Sequence, residues 1–531
     1  MDENRSRRVF LFPILLGIAL AAGIYLGSNL TPAPKISSNN KINSILDYIQ
    51  QEYLDTINRN KLVDETIIKL LEQLDPHSAY IPKEELQAAN EPLEGNFEGI
   101  GIEFHIQEDT IMVVSAISGG PSESLGIQPG DRIVKVDNKL VAGINITNEM
   151  VMKSLRGKGG TTVAVAILRR GQNKLIDYKI VRGKIPINSL EFSYMITEQT
   201  GYIKISRFSA TTYDEFIPAM QQLKKEGMRN LILDLRGNPG GFLDAATAIS
   251  DEFIGGKKLI VYTQGKSRPK TEYFTSRDGL FEQGKLFILI DEGSASAAEI
   301  VSGAVQDWDR GTLLGRRSFG KGLVQEQTQL PDGSAIRLTI ARYYTPTGRS
   351  IQKSYDHGFS AYEEELYDRV KNGELLHKDS IHQKDTIVYK TPAGKIVYGG
   401  GGITPDVFVP LDTIYNSDYI NRLFASGSVN QFAYDYVDQN REKLKRFTSA
   451  AVFKEQFKSD ADFINEFIQY AEKKGIQKNN KDLQKSLPVL QTQLKAYVAR
   501  LLWKNEGMYP ILHEKDATIQ KALQLLQQPM Q

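Results

Sequence analysis

The sequence predicts an α/β protein built of several domains, and three observations predict it. Between Gly201 and Arg342, short apolar strands alternate with helical runs, the pattern of an α/β core with substantial parallel pairing. The preceding stretch, Gly99 to Lys184, holds short β-rich runs broken by glycine and proline turns, with room for one or two helices. The chain has 531 residues, and single cores stop growing beyond roughly 250–300 residues.

At the N-terminus, Arg5, Arg7 and Arg8 precede a stretch from Val9 to Leu30 with no charged side chain. A helix rising about 1.5 Å per residue over that length matches a bilayer core of ~30 Å. The basic flank places the N-terminus in the cytoplasm and the bulk of the chain outside it. Ala19, Ala21 and Ala22 offer a small-residue cleavage site, as in a signal peptide. The stretch nevertheless exceeds the usual apolar region of about 7–15 residues. Residues 1–30 are therefore expected to be a cytoplasmic tip and transmembrane anchor.

Residues 31–94 begin with a linker rich in Pro, Ser and Asn, Thr31 to Asn40. Ile42, Ile45, Leu46 and Ile49, then Ile67, Ile68 and Leu71, follow at helical spacing up to Pro76. This region serves either for packing onto the next domain or as a dimerisation arm. Residues 95–184 form the small β-rich domain, with strands at Ile111–Val114, Arg132–Val136 and Thr162–Leu168. One helix fits between Thr147 and Leu155, with Thr147 as N-cap.

Residues 185–410 form the α/β core. Its buried strands are expected at Tyr202–Ile205, Leu231–Leu235, Leu286–Ile290 and Thr312–Leu314, and its helices at Tyr213–Glu226, Asp244–Glu252 and Ala297–Asp307. Within it, residues 356–386 are densely charged and read as an exposed insertion. Residues 411–531 look helical: Phe453, Phe457, Phe463 and Phe467 precede a stop at Gly475, and Leu483, Leu487, Leu490 and Leu494 follow. Nothing there looks catalytic.

Charged residues make up 24% and hydrophobic ones 41%, which excludes a disordered chain and a polytopic membrane protein. A net charge of +1 gives no reason to expect nucleic acid. Cysteine is absent, excluding cysteine nucleophiles, disulfides and thiolate metal sites. None of the six histidines falls between Gly201 and Arg342, so no Ser-His-Asp triad is suggested. No metal-ligand spacing appears, and no metal or cofactor is expected.

Three glycine-rich elements carry chemistry. Gly293-Ser-Ala-Ser-Ala-Ala-Glu-Ile300 joins an apolar strand to a helix. Small residues at such a turn let a serine stand exposed, and the helix N-terminus favours developing negative charge. By itself this is weak, because serines at helix starts are usually N-caps. Arg236-Gly-Asn-Pro-Gly-Gly241 follows a strand directly. Its backbone N–H groups suit a phosphate or an oxyanion equally, and an ordinary Gly-Pro turn is the plainer reading. Gly315-Arg-Arg-Ser-Phe-Gly-Lys-Gly322 nearly matches a phosphate-binding loop, but Gly322 stands where that motif needs a hydroxyl. A lysine flanked by glycines can instead serve as a base once burial removes its charge.

Together, these runs resemble the C-terminal processing peptidases, or tail-specific proteases, from about residue 40 to 410. The resemblance implies a serine endopeptidase with Ser296 as nucleophile, Lys321 as general base and Gln325, one helical turn later, orienting the lysine. It implies an oxyanion hole from the amide of Ala297 and that of Gly240 or Gly241, with Gly240 favoured. It implies a core of the crotonase/Clp-protease type carrying an inserted PDZ domain. Gly99-Ile-Gly-Ile-Glu-Phe104 is similar to a PDZ peptide-binding loop and strand, so Gly99, Ile100, Gly101 and Ile102 are candidate peptide-binding residues. Asp75-Pro-His-Ser78 with Tyr80 is similar to a family element ahead of the PDZ domain; His77 is not a catalytic candidate. Arg156, in Leu155-Arg-Gly157, is a candidate regulatory residue coupling the PDZ domain to the core.

The partners implied are proteins with accessible, apolar C-termini and, through residues 1–30, a membrane. A homodimer or an adaptor protein stays open. With the anchor, this makes a single-pass protein of the bacterial inner membrane whose catalytic part is periplasmic. Two other readings compete: a catalytically inactive PDZ scaffold, which the intact Ser, Lys and Gln argue against, and a crotonase-like acyl-CoA enzyme, which the PDZ-like segment argues against.

Overall fold

The computed structural model describes residues 16–25, 41–381 and 387–528, in two units that divide after Leu74. In the first unit, residues 16–25 are helical, and two further helices span Lys41–Glu52 and Arg59–Glu72. The Asn58 side chain accepts the Lys61 N–H and so caps the second of these. Arg59 pairs with Asp47 at 2.6 Å. The last turn closes at Glu72, short of Pro76. Among the described residues no helix is long and apolar enough to cross a membrane. The expected anchor, Val9 to Leu30, is described only at residues 16–25; its remainder lies outside the described residues.

The second unit is built on a six-stranded sheet in the order Leu190–Thr197, Thr200–Ile205, Asn230–Asp234, Leu286–Ile290, Thr312–Gly315, Val407–Phe408. The first pair is antiparallel and the others parallel. Because side chains alternate across a sheet, two apolar layers form. Leu231, Leu233, Leu286, Ile288 and Ile290 pack against Phe216, Met220, Ile249, Val301 and Val305 from the helices Thr212–Lys225, Leu243–Asp251 and Ala297–Asp307. Tyr202, Ile232, Phe287 and Leu289, on the opposite face, pack against Ile519 and Ala522 of the C-terminal helix Ala517–Leu526. The tail thus completes the core sandwich. A second sheet joins Ala79–Ile81, Ala335–Tyr344, Leu259–Gln264 and Thr271–Phe274, with Leu323–Gln329 paired to Ala335–Tyr344.

The β-rich segment forms its own sheet in the order Ile102–Gln107, Thr110–Ala116, Arg132–Val136, Thr162–Leu168, Ile176–Val181. The helix Asn148–Leu155 packs Val151 and Leu155 on Ile111, Ile133 and Val163. Thr147 caps that helix by accepting the Met150 N–H. Where the segment leaves and rejoins the chain, strands Asn96–Gly99 and Gly183–Pro186 pair as a neck.

The expected insertion at 356–386 is exposed over most of its described length, and a few buried side chains anchor it. Its helix Phe359–Lys371 buries Tyr362 and Arg369, and Glu374 is buried after it. Arg317 meets Glu374 at 2.6 Å, Arg369 meets Glu374 at 3.1 Å and Lys353 meets Glu365 at 3.3 Å. The charges that do go inside, Arg369, Glu374 and the half-buried Glu365, are paired, which offsets their burial, whereas Glu363, Glu364, Asp368 and Lys371 stay exposed. Residues 382–386 lie outside the described residues. The helices after Asp418 enclose an aromatic core of Phe432, Phe447, Phe453, Phe457, Phe463 and Phe467.

Candidate active site

Two loops leave the carboxyl ends of neighbouring parallel strands, Asn230–Asp234 and Leu286–Ile290, where open α/β sheets form crevices. They are tied to each other. Asp291 Oδ1 accepts the N–H groups of Gly237 and Gly293, Ser294 Oγ donates to the Leu235 carbonyl, and the Ala295 N–H donates to the Asn238 carbonyl. The first loop is rooted by Arg236, which pairs with buried Asp234 at 2.6 Å and with Asp516 of the tail at 2.8 Å. Arg236 and Lys204 hold the Asp234 carboxyl well below the usual carboxylate range despite its burial.

Ser296 lies at the turn between strand and helix with φ 53° and ψ −114°. This left-handed backbone is uncommon for any residue but glycine. Its N–H donates to Glu299 Oε2 at 2.8 Å, and its carbonyl accepts the Glu299 N–H at 2.8 Å and the Tyr343 hydroxyl at 3.0 Å. A Cβ on Gly240 would fall 2.6 Å from the Ser296 Cβ and 2.9 Å from the Ala297 nitrogen, and a Cβ on Gly241 would strike the Phe208 carbonyl oxygen at 1.8 Å. Glycine is therefore required at both positions. The Gly240 N–H donates to Asn238 Oδ1 at 2.8 Å. The N–H groups of Gly241 and Ala297 donate to no partner among the described residues.

Lys321 arrives from the loop after Thr312–Gly315. The N–H groups of Gly320 and Lys321 both donate to Glu299, and Ser318 Oγ donates to the same carboxylate. These amides are thereby committed to a protein carboxylate, which leaves the phosphate-loop likeness without an anion cradle. Lys321 Nζ donates to Gln325 Oε1 at 3.1 Å, and Gln325 Nε2 donates to the His77 carbonyl. Burial, then the Arg337 cation, lower the Lys321 pKa, with Asp75 and Glu299 opposing. The helical turn expected between Lys321 and Gln325 is corrected: Gln325 lies on the strand Leu323–Gln329. Opposite it the pairing is irregular: Val324 faces Ala341 and Gln325 faces Thr339, so the extra residue, Ile340, lies on the partner strand.

Ser296, Lys321, Gln325, Gly240 and Gly241 line one cleft of about 660 Å³, together with Leu93, Phe242, Leu323 and Arg337. The candidates Gly99, Ile100, Gly101 and Ile102 lie elsewhere, at the neck and the first strand of the β-rich domain. Arg156 links the two regions: it pairs with Glu91 at 2.6 Å and stacks over Phe97 at 4.6 Å. Glu91 belongs to the helix Lys83–Glu94, whose Asn90, Leu93 and Glu94 line the cleft.

Sequence reasoning missed Glu299, which is fully buried and whose pKa burial pushes up to about 7 against four donated hydrogen bonds. The signal was present as a serine followed three residues later by glutamate at a helix start. It also missed the backbone role of His77, for which a sequence carries no signal.

Comparison with known proteins matches residues 199–358 to peptidase family S41 and residues 99–180 to the PDZ domain. Residues 419–504 match a family of unknown function, DUF8443. The chain is 36% identical over 350 residues to the carboxy-terminal-processing protease of Bartonella bacilliformis, covering 63% of this chain and 80% of that one. It is also 36% identical over 358 residues to the carboxy-terminal processing protease CtpA of Bacillus subtilis, covering 66% and 76%. Among solved structures it is similar to the photosystem II D1 C-terminal processing protease, at 24% identity over 71% of this chain and 88% of that chain, with a TM-score of 0.37. With this identity across four-fifths of a relative, the chain belongs to peptidase family S41, as a serine-type C-terminal processing protease carrying a PDZ domain.

Proposed function

We propose that Ser296 is the nucleophile and Lys321 its general base. One observation carries this reading: a single cleft is lined by Ser296 and by a buried lysine whose charge is disfavoured and whose amine is held by Gln325. The neutral amine of Lys321 takes the Ser296 proton, and Oγ attacks the scissile carbonyl. The oxyanion is received by the N–H groups of Ala297 and Gly241. Gly240 is passed over because its N–H is committed to Asn238. Lys321 then returns the proton to the leaving amine, and water activated by the same amine hydrolyses the acyl-enzyme. No step requires a metal or cofactor.

Substrates on this reading are extracytoplasmic proteins with accessible, apolar C-termini. The loop Gly99–Ile102 takes the terminal carboxylate, and the strand Ile102–Gln107, at the edge of its sheet, pairs with the tail. Arg156 reports tail binding to the cleft through Glu91. Residues 1–30, by their composition, hold the chain in the inner membrane. Fractionation of a chain lacking them tests that part: it should be soluble and active.

The decisive experiment for the nucleophile is labelling with a serine-directed acylating probe followed by peptide mapping. The label should sit on Ser296 and vanish in Ser296→Ala. Labelling of another serine with activity intact in Ser296→Ala would overturn the reading.

A further inference from the structure

Gln325 presents two chemically different ends, and something must decide which faces Lys321. Oε1 accepts from Lys321 Nζ at 3.1 Å, and Nε2 donates to the His77 carbonyl. A carbonyl can only accept. Its position therefore fixes the orientation of the amide and offers Lys321 an acceptor instead of a second donor.

The His77 carbonyl is held by Asp75 and by the segment read from sequence as an exposed insertion. The His77 N–H donates to Asp75 Oδ1 at 2.8 Å. Its ring Nε2 shares a hydrogen bond of 2.7 Å with the Tyr362 hydroxyl, and the two rings meet edge to face at 5.2 Å. Tyr362 is buried on the helix Phe359–Lys371, and it does not line the cleft. That helix is itself pinned. Lys353 Nζ lies 4.0 Å from the Tyr362 ring and donates to the Tyr362 carbonyl. Arg369 donates to the Ser318 carbonyl at 2.8 Å, next to the hydroxyl that binds Glu299.

We propose that Tyr362 is a positioning residue for the general base. It fixes the His77 ring, the ring fixes the His77 carbonyl, and the carbonyl sets which end of Gln325 faces Lys321. Tyr362 lies outside the cleft and acts through this relay; its side chain also bonds Gln352, which accepts the Gly322 N–H, and a loss carried by that route would be additive with Gln325→Ala. The proposal rests on the reading of Lys321 as the base.

The test is a double-mutant cycle on the full chain, with acylation followed by an activated ester and cleavage by a peptide substrate. Tyr362→Phe keeps the ring against Lys353 and removes only the hydroxyl. In the otherwise native protein it should lower kcat about tenfold or more, the scale expected when a catalytic group is misplaced, with KM little changed. In a Gln325→Ala background it should cause no further loss, because the relay is already cut. An equal fractional loss in both backgrounds, or none in the native one, overturns the proposal. Should Tyr362→Phe fold poorly by thermal midpoint, His77→Phe keeps the carbonyl, removes the ring nitrogens and carries the same expectation. Lys321→Ala separates the two levels. If it stays active, the base assignment fails and the relay with it; if it is inactive while the cycle is additive, only the relay fails.

Discussion

Gly240 passes so close to Ser296 that a Cβ on the glycine would lie 2.6 Å from the Cβ of the serine. The glycine-rich loop is thereby a wall of the cleft that Ser296 lines, and Gly240 holds a φ of 97° that other residues rarely adopt.

Gly240→Ala should therefore displace Ser296 or the Ala297 amide. Losing one oxyanion donor lowers kcat by about 10²–10³-fold in other enzymes, and a loss of that order is expected here in steady-state peptide cleavage. Activity within about twofold of native would mean that this loop does not shape the oxyanion site.

The buried cluster behind the site should be brittle. Glu374 neutralises Arg317 and Arg369. Glu374→Ala leaves both cations buried without that partner, a change that costs about 3–5 kcal/mol. Urea unfolding followed by tryptophan fluorescence measures it. A loss below about 1 kcal/mol would show that the segment is loosely attached.

Acid should loosen the tail from the core. Burial lowers the His513 pKa from 6.5 to about 4, reinforced by Arg236 and Lys204 and opposed by Asp516 and Asp234. Its Nδ1 bonds the Tyr194 hydroxyl at 2.8 Å. The unfolded chain binds the extra proton first, so the stability held above pH 6.5 is lost as pH falls toward 4, by up to about 3 kcal/mol. Thermal midpoints of the native protein and of His513→Phe, compared across that range, should converge as pH falls. Parallel curves would contradict the assignment.

Communication from the PDZ domain should require Arg156. A peptide with a free apolar C-terminus should stimulate cleavage of an unrelated substrate, and its amidated form should not. Arg156→Ala, which removes the bond to Glu91 and the stacking on Phe97, should abolish the stimulation. Stimulation by both peptides alike would remove the carboxylate from the account.

Much of the core was legible because its signals are local. Leu286–Ile290 is five buried apolar residues in a row, and Ala297–Asp307 is a helix buried along its whole length; both lie where the pattern puts them. Thr147 announced its helix as a cap. The second sheet was not legible, since Leu323–Gln329 and Ala335–Tyr344 mix polar and apolar residues without a clean period. The spacing of Lys321 and Gln325 suggested a helical turn, whereas Gln325 lies on a strand and meets Lys321 from the loop just before it. The support of Gln325 comes from a backbone carbonyl 248 residues away, a contact that no side-chain pattern encodes. The charged segment is exposed over most of its described length, as its composition suggests; its anchoring through Glu365 and Glu374 depends on Arg317 and Lys353, from outside the segment, and no local pattern announces it.

Peptide cleavage by Lys321→Ala, in protein shown to be folded by circular dichroism and thermal midpoint, tests the central claim most directly. With Lys321 as general base the rate should fall by about 10²–10⁴-fold or more. Lys321→Arg should fail equally, because a guanidinium stays charged. Cleavage by folded Lys321→Ala within about tenfold of the native rate would contradict the Ser296–Lys321 mechanism.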